Sequence, residues 1–281
     1  MKIFKVLFLL LLFTDIKYSY SQFSPVELYS KGLQKFYDGQ FQEAVSFFDD
    51  YIKVASNDVR GFNYRGLSYM ALKNYQRAIE DFTSILTINT TSPEGFTNRG
   101  YAYLLMGNTS SSLSDFANSI QYAPAYIEAY IGKSRTNTAL GDFSNAMKNL
   151  NMAQGITPKN PRVYINKAWV YYLQNDTNNF FENVYSALYN DSDIVFTSFE
   201  KDLIFLKVEI FKMALKIADE SVSRYPDNYF FRFTRGFVYY LLNNYTEAAN
   251  DLQASAKLNK NKTPLYNKII GILKRSIERN S

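Results

Sequence analysis

The sequence predicts an all-α protein built as a stack of helical hairpins, and three observations carry that prediction. A 34-residue frame returns along the chain, small and large apolar residues recur at fixed places within it, and turn formers fall between the segments so defined. The composition agrees. With 281 residues, 47% hydrophobic and 17% aromatic, and only 12 Gly and 7 Pro, the chain can bury a core, which excludes collagen-like, low-complexity and wholly disordered classes.

The N-terminus reads differently from the rest. Lys2 and Lys5 precede an apolar run from Val6 to Phe13, and a polar stretch ends in Ser19-Tyr20-Ser21. This is the layout of a secretory signal peptide over residues 1–21, with cleavage expected before Gln22. Eight apolar residues make a helix of about 12 Å, short of the roughly 30 Å hydrocarbon core, so a permanent membrane span is the weaker reading. The expected location is outside the cytoplasm, periplasmic or secreted after cleavage near Ser21. The sequence leaves a bacterial and a eukaryotic host both open, and a signal with repeats lacking any disulfide fits a bacterial periplasm somewhat better. Losing Lys2, Lys5, Lys17 and Asp15 takes the net charge from +5 to +3. Acids and bases alternate without a single-sign stripe, so no nucleic-acid partner is predicted.

The frame begins after this leader. Phe62-Asn63-Tyr64-Arg65-Gly66-Leu67-Ser68-Tyr69 and Phe96-Thr97-Asn98-Arg99-Gly100-Tyr101-Ala102-Tyr103 lie 34 residues apart, and four further periods reach Thr234-Arg235-Gly236-Phe237. Twelve residues after the glycine place stand Ala44, Ala78, Ser112, Ala146, Ala214 and Ala248, and four later Phe48, Phe82, Phe116, Leu150 and Leu252. A small residue on each of two helices lets their backbones approach, and the large side chains fill the space beside them. Gly39, Gly107 and Gly141 suit left-handed C-caps, while Asn108, Asp142 and Asn244 suit the next N-cap. Ser24-Pro25 and Ser92-Pro93 read as cap followed by first helical residue, with Ser24 and Glu27 forming a capping box.

Glycine, an aromatic three later, alanine, phenylalanine and proline on a 34-residue cycle closely resemble the tetratricopeptide repeat family. The resemblance implies a right-handed α-solenoid of about seven helix-turn-helix units. They fit as 25–58, 59–92, 93–126, 127–160, 161–194, 195–228 and 229–262. The fifth places Phe180 where a small residue is expected and the sixth has Asp202 at the glycine place, so both are degenerate. Residues 263–281 put Leu265, Ile269, Ile272, Leu273 and Ile277 on one helical face and read as a C-terminal capping helix.

The resemblance also implies where a partner would sit. First helices of the family line a concave groove, with groove-facing side chains at the second, fifth, ninth, twelfth and thirteenth places of each unit. Mapped here, the candidates are Tyr29, Phe36, Asn63, Thr97, Arg135, Trp169, Tyr172, Phe233, Phe237 and Tyr240. Aromatic rings at helical spacing also serve as packing, so each has a structural reading beside the functional one. The family's terminal-carboxylate clamp is absent, since Tyr29 and Leu33 occupy its first two places.

Charges recur in register as well. Arg65, Arg99 and Arg235 are each followed sixteen residues later by Asp81, Asp115 and Asp251, whereas a lysine at that place is followed by Phe47, Asn149, Asn183 or Ile217. Three structural ion pairs are expected, with no catalytic role. Zero Cys and zero His remove thiol nucleophiles, imidazole bases and the usual zinc sites. Gly132-Lys133-Ser134 lacks the first glycine of a phosphate loop, and Asp191-Ser192-Asp193 lacks the rest of a calcium loop.

No enzyme, cofactor or metal is therefore predicted. The expected function is that of a non-enzymatic adaptor holding a protein or peptide, with self-association as a further option. The alternative is a glycan-binding module with Trp169 as a stacking platform, and acid-base work by Glu94 and Glu128 comes third. Six Asn-x-Ser/Thr triplets, at Asn89, Asn108, Asn175, Asn190, Asn244 and Asn261, all fall in expected turns, where Asn is common for conformational reasons.

Overall fold

The computed structural model describes residues 23–190 and 208–258, apart from residue 243. The expected signal peptide, Asp202, Asn261 and the expected C-terminal cap lie outside these residues. Every described element is a helix: α1 (Pro25–Tyr37), α2 (Phe41–Val54), α3 (Val59–Ala71), α4 (Tyr75–Ile88), α5 (Pro93–Leu105), α6 (Thr109–Tyr122), α7 (Ile127–Ala139), α8 (Phe143–Ile156), α9 (Pro161–Leu173), α10 (Thr177–Asn190), α11 (Val208–Arg224), α12 (Tyr229–Leu241) and α13 (Tyr245–Leu258). First helices begin at Pro25, Val59, Pro93, Ile127, Pro161 and Tyr229, on the 34-residue frame. No helix among the described residues is long and apolar enough to cross a membrane.

The termini of these helices follow from their sequence. Ser24 accepts from the Glu27 amide while the Ser24 amide donates to the Glu27 carboxylate at 2.7 Å, a complete capping box. Ser92 caps α5 by accepting from the Gly95 amide at 3.0 Å, and Asn108 caps α6 by accepting from the Ser111 amide at 3.1 Å. Gly39, Gly107 and Gly141 have φ of 75°, 81° and 75°, which lets the chain reverse after the first helix. The same place in two other repeats holds Lys73 and Asn175, both at φ 59°.

The chain divides into two units, Met1–Asp142 and Phe143–Ser281. In the first, each helix packs on the next, and the first helices also meet one another, α1 with α3, α3 with α5 and α5 with α7. No successive pair of second helices there approaches as closely among the described residues, which puts the first helices on the inner side of that stack. A Cβ added to Gly66 would lie 2.6 Å from Phe82, and one added to Gly132 would lie 2.2 Å from Phe116. Helix α3 thus rests against a ring that is fully buried. Each such phenylalanine contributes roughly 1.5–3 kcal/mol of hydrophobic stabilisation.

In the second unit α9 packs on α10 and α12 packs on both α11 and α13. Its core joins Ala168, Phe180, Ala218 and Val238, so Phe180 occupies the small-residue place by turning into the core. Helix α11 has 17 residues where the other second helices have 14, a departure from the regular unit that accompanies the degenerate sixth repeat.

Candidate partner-binding face

Alternating helices of the first unit bring four of the groove candidates, Tyr29, Phe36, Asn63 and Arg135, onto the helices α1, α3 and α7 that with α5 make one face. Asn63 on α3 is its centre. The Asn98 side-chain amide donates to Asn63 Oδ1 at 2.8 Å, and Asn63 Nδ2 donates to Glu94 Oε1 at 2.9 Å, a polar run bridging α3 and α5. Beside it the Tyr101 hydroxyl donates to the Glu128 carbonyl at 3.3 Å, and the Arg135 guanidinium lies 5.9 Å from the centre of the Tyr101 ring. Arg135 and Tyr101 are both half-buried.

The N-terminal end of the face is aromatic. Tyr29 touches Phe48, Tyr51 and Tyr64 with ring centres 5.2–6.1 Å apart, and the Arg60 guanidinium lies 4.9 Å above it. Burial pushes the Tyr29 phenol up, and a hydrogen bond between Tyr64 and Tyr37 pushes the Tyr64 phenol up, so these rings stay neutral. Arg60 is anchored by Asp58, Nη2 to Oδ2 at 2.6 Å, and Asp58 also accepts from the Tyr51 hydroxyl at 2.5 Å. Hydrogen bonds from Arg60 hold the Asp58 carboxyl well below the usual carboxylate range. Phe36 is more a packing residue than a contact surface, since Tyr37, Phe41 and Tyr64 meet it within 5.7 Å.

Three groove candidates need correction. Thr97 is only 2% exposed, because its hydroxyl donates to Ser119 Oγ at 2.9 Å, and Ser119 in turn donates to the Pro93 carbonyl. A short hydroxyl side chain is drawn into the contact between α5 and α6 rather than left on the surface. Phe233 and Phe237 are buried too, at 6% and 2% exposed, so the packing reading takes them. The side chain of Tyr240 lies outside the described residues. In the second unit Trp169 stacks on Tyr172, ring centres 5.3 Å apart and planes 15° from parallel, and both rings are half-buried.

Two ion pairs of the first unit and one of the second join a first helix to its second helix. Arg65 grips Asp81, Arg99 binds Asp115 through Nε and Nη2 at 2.8 Å each, and Arg235 binds Asp251 through Nε at 2.5 Å and Nη2 at 2.7 Å. Each pair is two-pronged and each aspartate is buried. Sequence reasoning missed a second partner on every arginine. Nη1 of Arg65 reaches Asp49 at 2.6 Å, that of Arg235 reaches Asp219 at 3.1 Å, and that of Arg99 donates to Thr83 at 3.2 Å. These partners lie sixteen residues before the arginine, so the same spacing taken backward would have found them. Burial opposes the Arg65 charge, but Asp81 and Asp49 together raise its pKa; burial pushes the Asp81 carboxyl up and Arg65 offsets only part of that.

Known proteins share this frame. Residues 29–93 match the tetratricopeptide repeat family. No curated protein matches the chain. TTC0263, a thermophilic protein of these repeats in Thermus thermophilus, is 15% identical over 66% of this chain and 100% of its own, with a TM-score of 0.57. A tetratricopeptide repeat protein from Parabacteroides merdae is also 15% identical, over 92% of this chain and 88% of its own, with a TM-score of 0.54. The fold is the tetratricopeptide fold. At these identities the likeness is one of fold alone, so the tetratricopeptide frame gives the face its place and the side chains named above must give it its chemistry.

Proposed function

We propose that the protein is an exported, non-enzymatic scaffold that holds a protein or peptide partner against the first-helix face of its N-terminal unit. The observation that carries this reading is the polar run Asn98, Asn63 and Glu94 across α3 and α5, on helices that also carry the Arg60–Tyr29 and Arg135–Tyr101 contacts. Side-chain amides offer both donors and acceptors to a polypeptide backbone, rings offer apolar contact at small entropic cost, and charges of both signs set register. Export rests on residues 1–21 alone, through their charge and apolar pattern. No reacting group is called for, and Glu94 serves here as an acceptor for Asn63.

The test is capture by chemical cross-linking in the native host, identification of the partner, and titration of that partner against the Asn63→Ala and Glu94→Ala variants. Weakened binding with unchanged helical content supports the reading; unchanged affinity in both variants counts against it. The second reading, glycan stacking at Trp169, is favoured by the half-buried Trp169 ring and its parallel contact with Tyr172. Quenching of Trp169 emission by an oligosaccharide, in the absence of any polypeptide partner, would support it instead.

A further inference from the structure

Of the six Asn-x-Ser/Thr triplets, five begin on described residues, and the structure separates them. Asn190 does not lie in a turn: it is the last residue of α10, and its Nδ2 is spent on the Ser186 carbonyl at 2.8 Å. Asn108 caps α6, its Oδ1 accepting from the Ser111 amide, and the hydroxyl residue of its triplet, Ser110, is already helical. Asn244 likewise stands just before α13, with Thr246 inside the helix. Asn175 has the left-handed φ of 59°.

Asn89 differs from all of these. It ends α4 in extended backbone, φ −130° and ψ 94°, in the exposed turn that leads to α5. Its Oδ1 accepts both the Thr91 hydroxyl and the Thr91 amide, each at 3.2 Å. These two bonds from the third residue of the triplet fix the plane of the carboxamide, and Nδ2 donates to nothing among the described residues.

We infer that Asn89 is an acceptor site for asparagine-linked glycosylation, because Thr91 holds its Oδ1 and leaves its Nδ2 presented to an incoming transferase. Transfer forms a bond between Nδ2 and the anomeric carbon of an oligosaccharide and breaks that carbon's bond to the pyrophosphate of a polyprenyl-linked donor. One Nδ2 proton passes to a base on the transferase, and nothing is oxidised or reduced. The hydroxyl at Thr91 is the positioning group; a serine there would keep the bond and an alanine would lose it.

The test takes the folded full-length chain, purified from a host without such a transferase, and incubates it with an oligosaccharyltransferase and a polyprenyl-pyrophosphate oligosaccharide. Using a purified reaction separates acceptor geometry from export. Peptide mass mapping should find the sugar at Asn89 above every other triplet, absent in Asn89→Gln and in Thr91→Ala, and retained in Thr91→Ser. The heat-denatured chain is the control for enzyme activity. Equal or greater occupancy at Asn108, Asn175, Asn190, Asn244 or Asn261 would overturn the inference, as would a folded chain left unmodified while its denatured form is labelled.

Discussion

The guanidinium of Arg65 holds the buried carboxylate of Asp81 in a two-pronged grip, Nη2 to Oδ1 at 2.5 Å and Nε to Oδ2 at 3.0 Å. Its third nitrogen takes the more exposed Asp49 of the preceding hairpin, so one side chain ties two second helices together. Asp81→Ala leaves a half-buried cation with only a surface partner and should cost about 3 kcal/mol. Asp49→Ala removes a partner that is 41% exposed and should cost about 1 kcal/mol or less. Urea denaturation of both variants checks the ranking. Replacing the pair together, Arg65→Met with Asp81→Leu, should recover most of the loss, since the one carboxylate left without Arg65, Asp49, is 41% exposed and no buried charge stands unpaired.

Lys73 stands where three other repeats place glycine, and it holds φ 59° without a glycine's freedom. Its side chain is exposed, so nothing is lost by removing it. Relief of left-handed strain outweighs the larger entropy of an unfolded glycine, and Lys73→Gly should stabilise by about 0.5 to 1 kcal/mol. A lower urea midpoint for this variant would contradict the turn described above.

Lys167 occupies the arginine place of the fifth repeat without an acid sixteen residues later. It is 8% exposed, donates to Gln154 Oε1 at 2.5 Å, and burial pushes its pKa down. An amine whose folded pKa is depressed loses its proton first in the folded chain. Stability should therefore rise with pH as the solution climbs through the folded value towards the unfolded value of about 10.4. Lys167→Met should lack that rise. Urea midpoints of the two proteins, compared at neutral and alkaline pH, should converge as the solution becomes more alkaline.

Asp58 gives a pH dependence of its own. Its carboxyl is held low by Arg60, so its contribution is fully present above the unfolded value of about 3.9 and is lost as pH falls through the folded value. Asp81 works in the opposite sense: pushed up by burial, it takes its proton earlier in the folded chain and gains stability on acidification. Asp58→Asn should therefore be weaker than the parent at neutral pH, and the gap should narrow in strong acid. A gap that widens on acidification would reverse the assignment.

Much of the fold was legible because one period governs both packing and charge. Gly66 with Phe82 and Arg65 with Asp81 share the same sixteen-residue step, so a single comparison of repeats finds helix contact and ion pair alike. Lys73 was not legible, because nothing in a lysine announces a left-handed turn; only its place in the frame does. Asn63 could be placed on the face from its position, and Thr97 could not be kept there, because burial is decided by the Ser119 hydroxyl on another helix. Aromatic residues carried the least information, since Phe237 in the core and the half-buried Tyr29 on the face fit the same pattern.

A photoreactive side chain placed at Asn63, and separately at the exposed Glu80 on α4, tests the claim that the first helices carry the partner. In the native host the Asn63 probe should give a discrete protein adduct that excess unlabelled chain suppresses, and the Glu80 probe should give none. The same adduct from Glu80, with none from Asn63, would show that the partner is held on the opposite side of the stack.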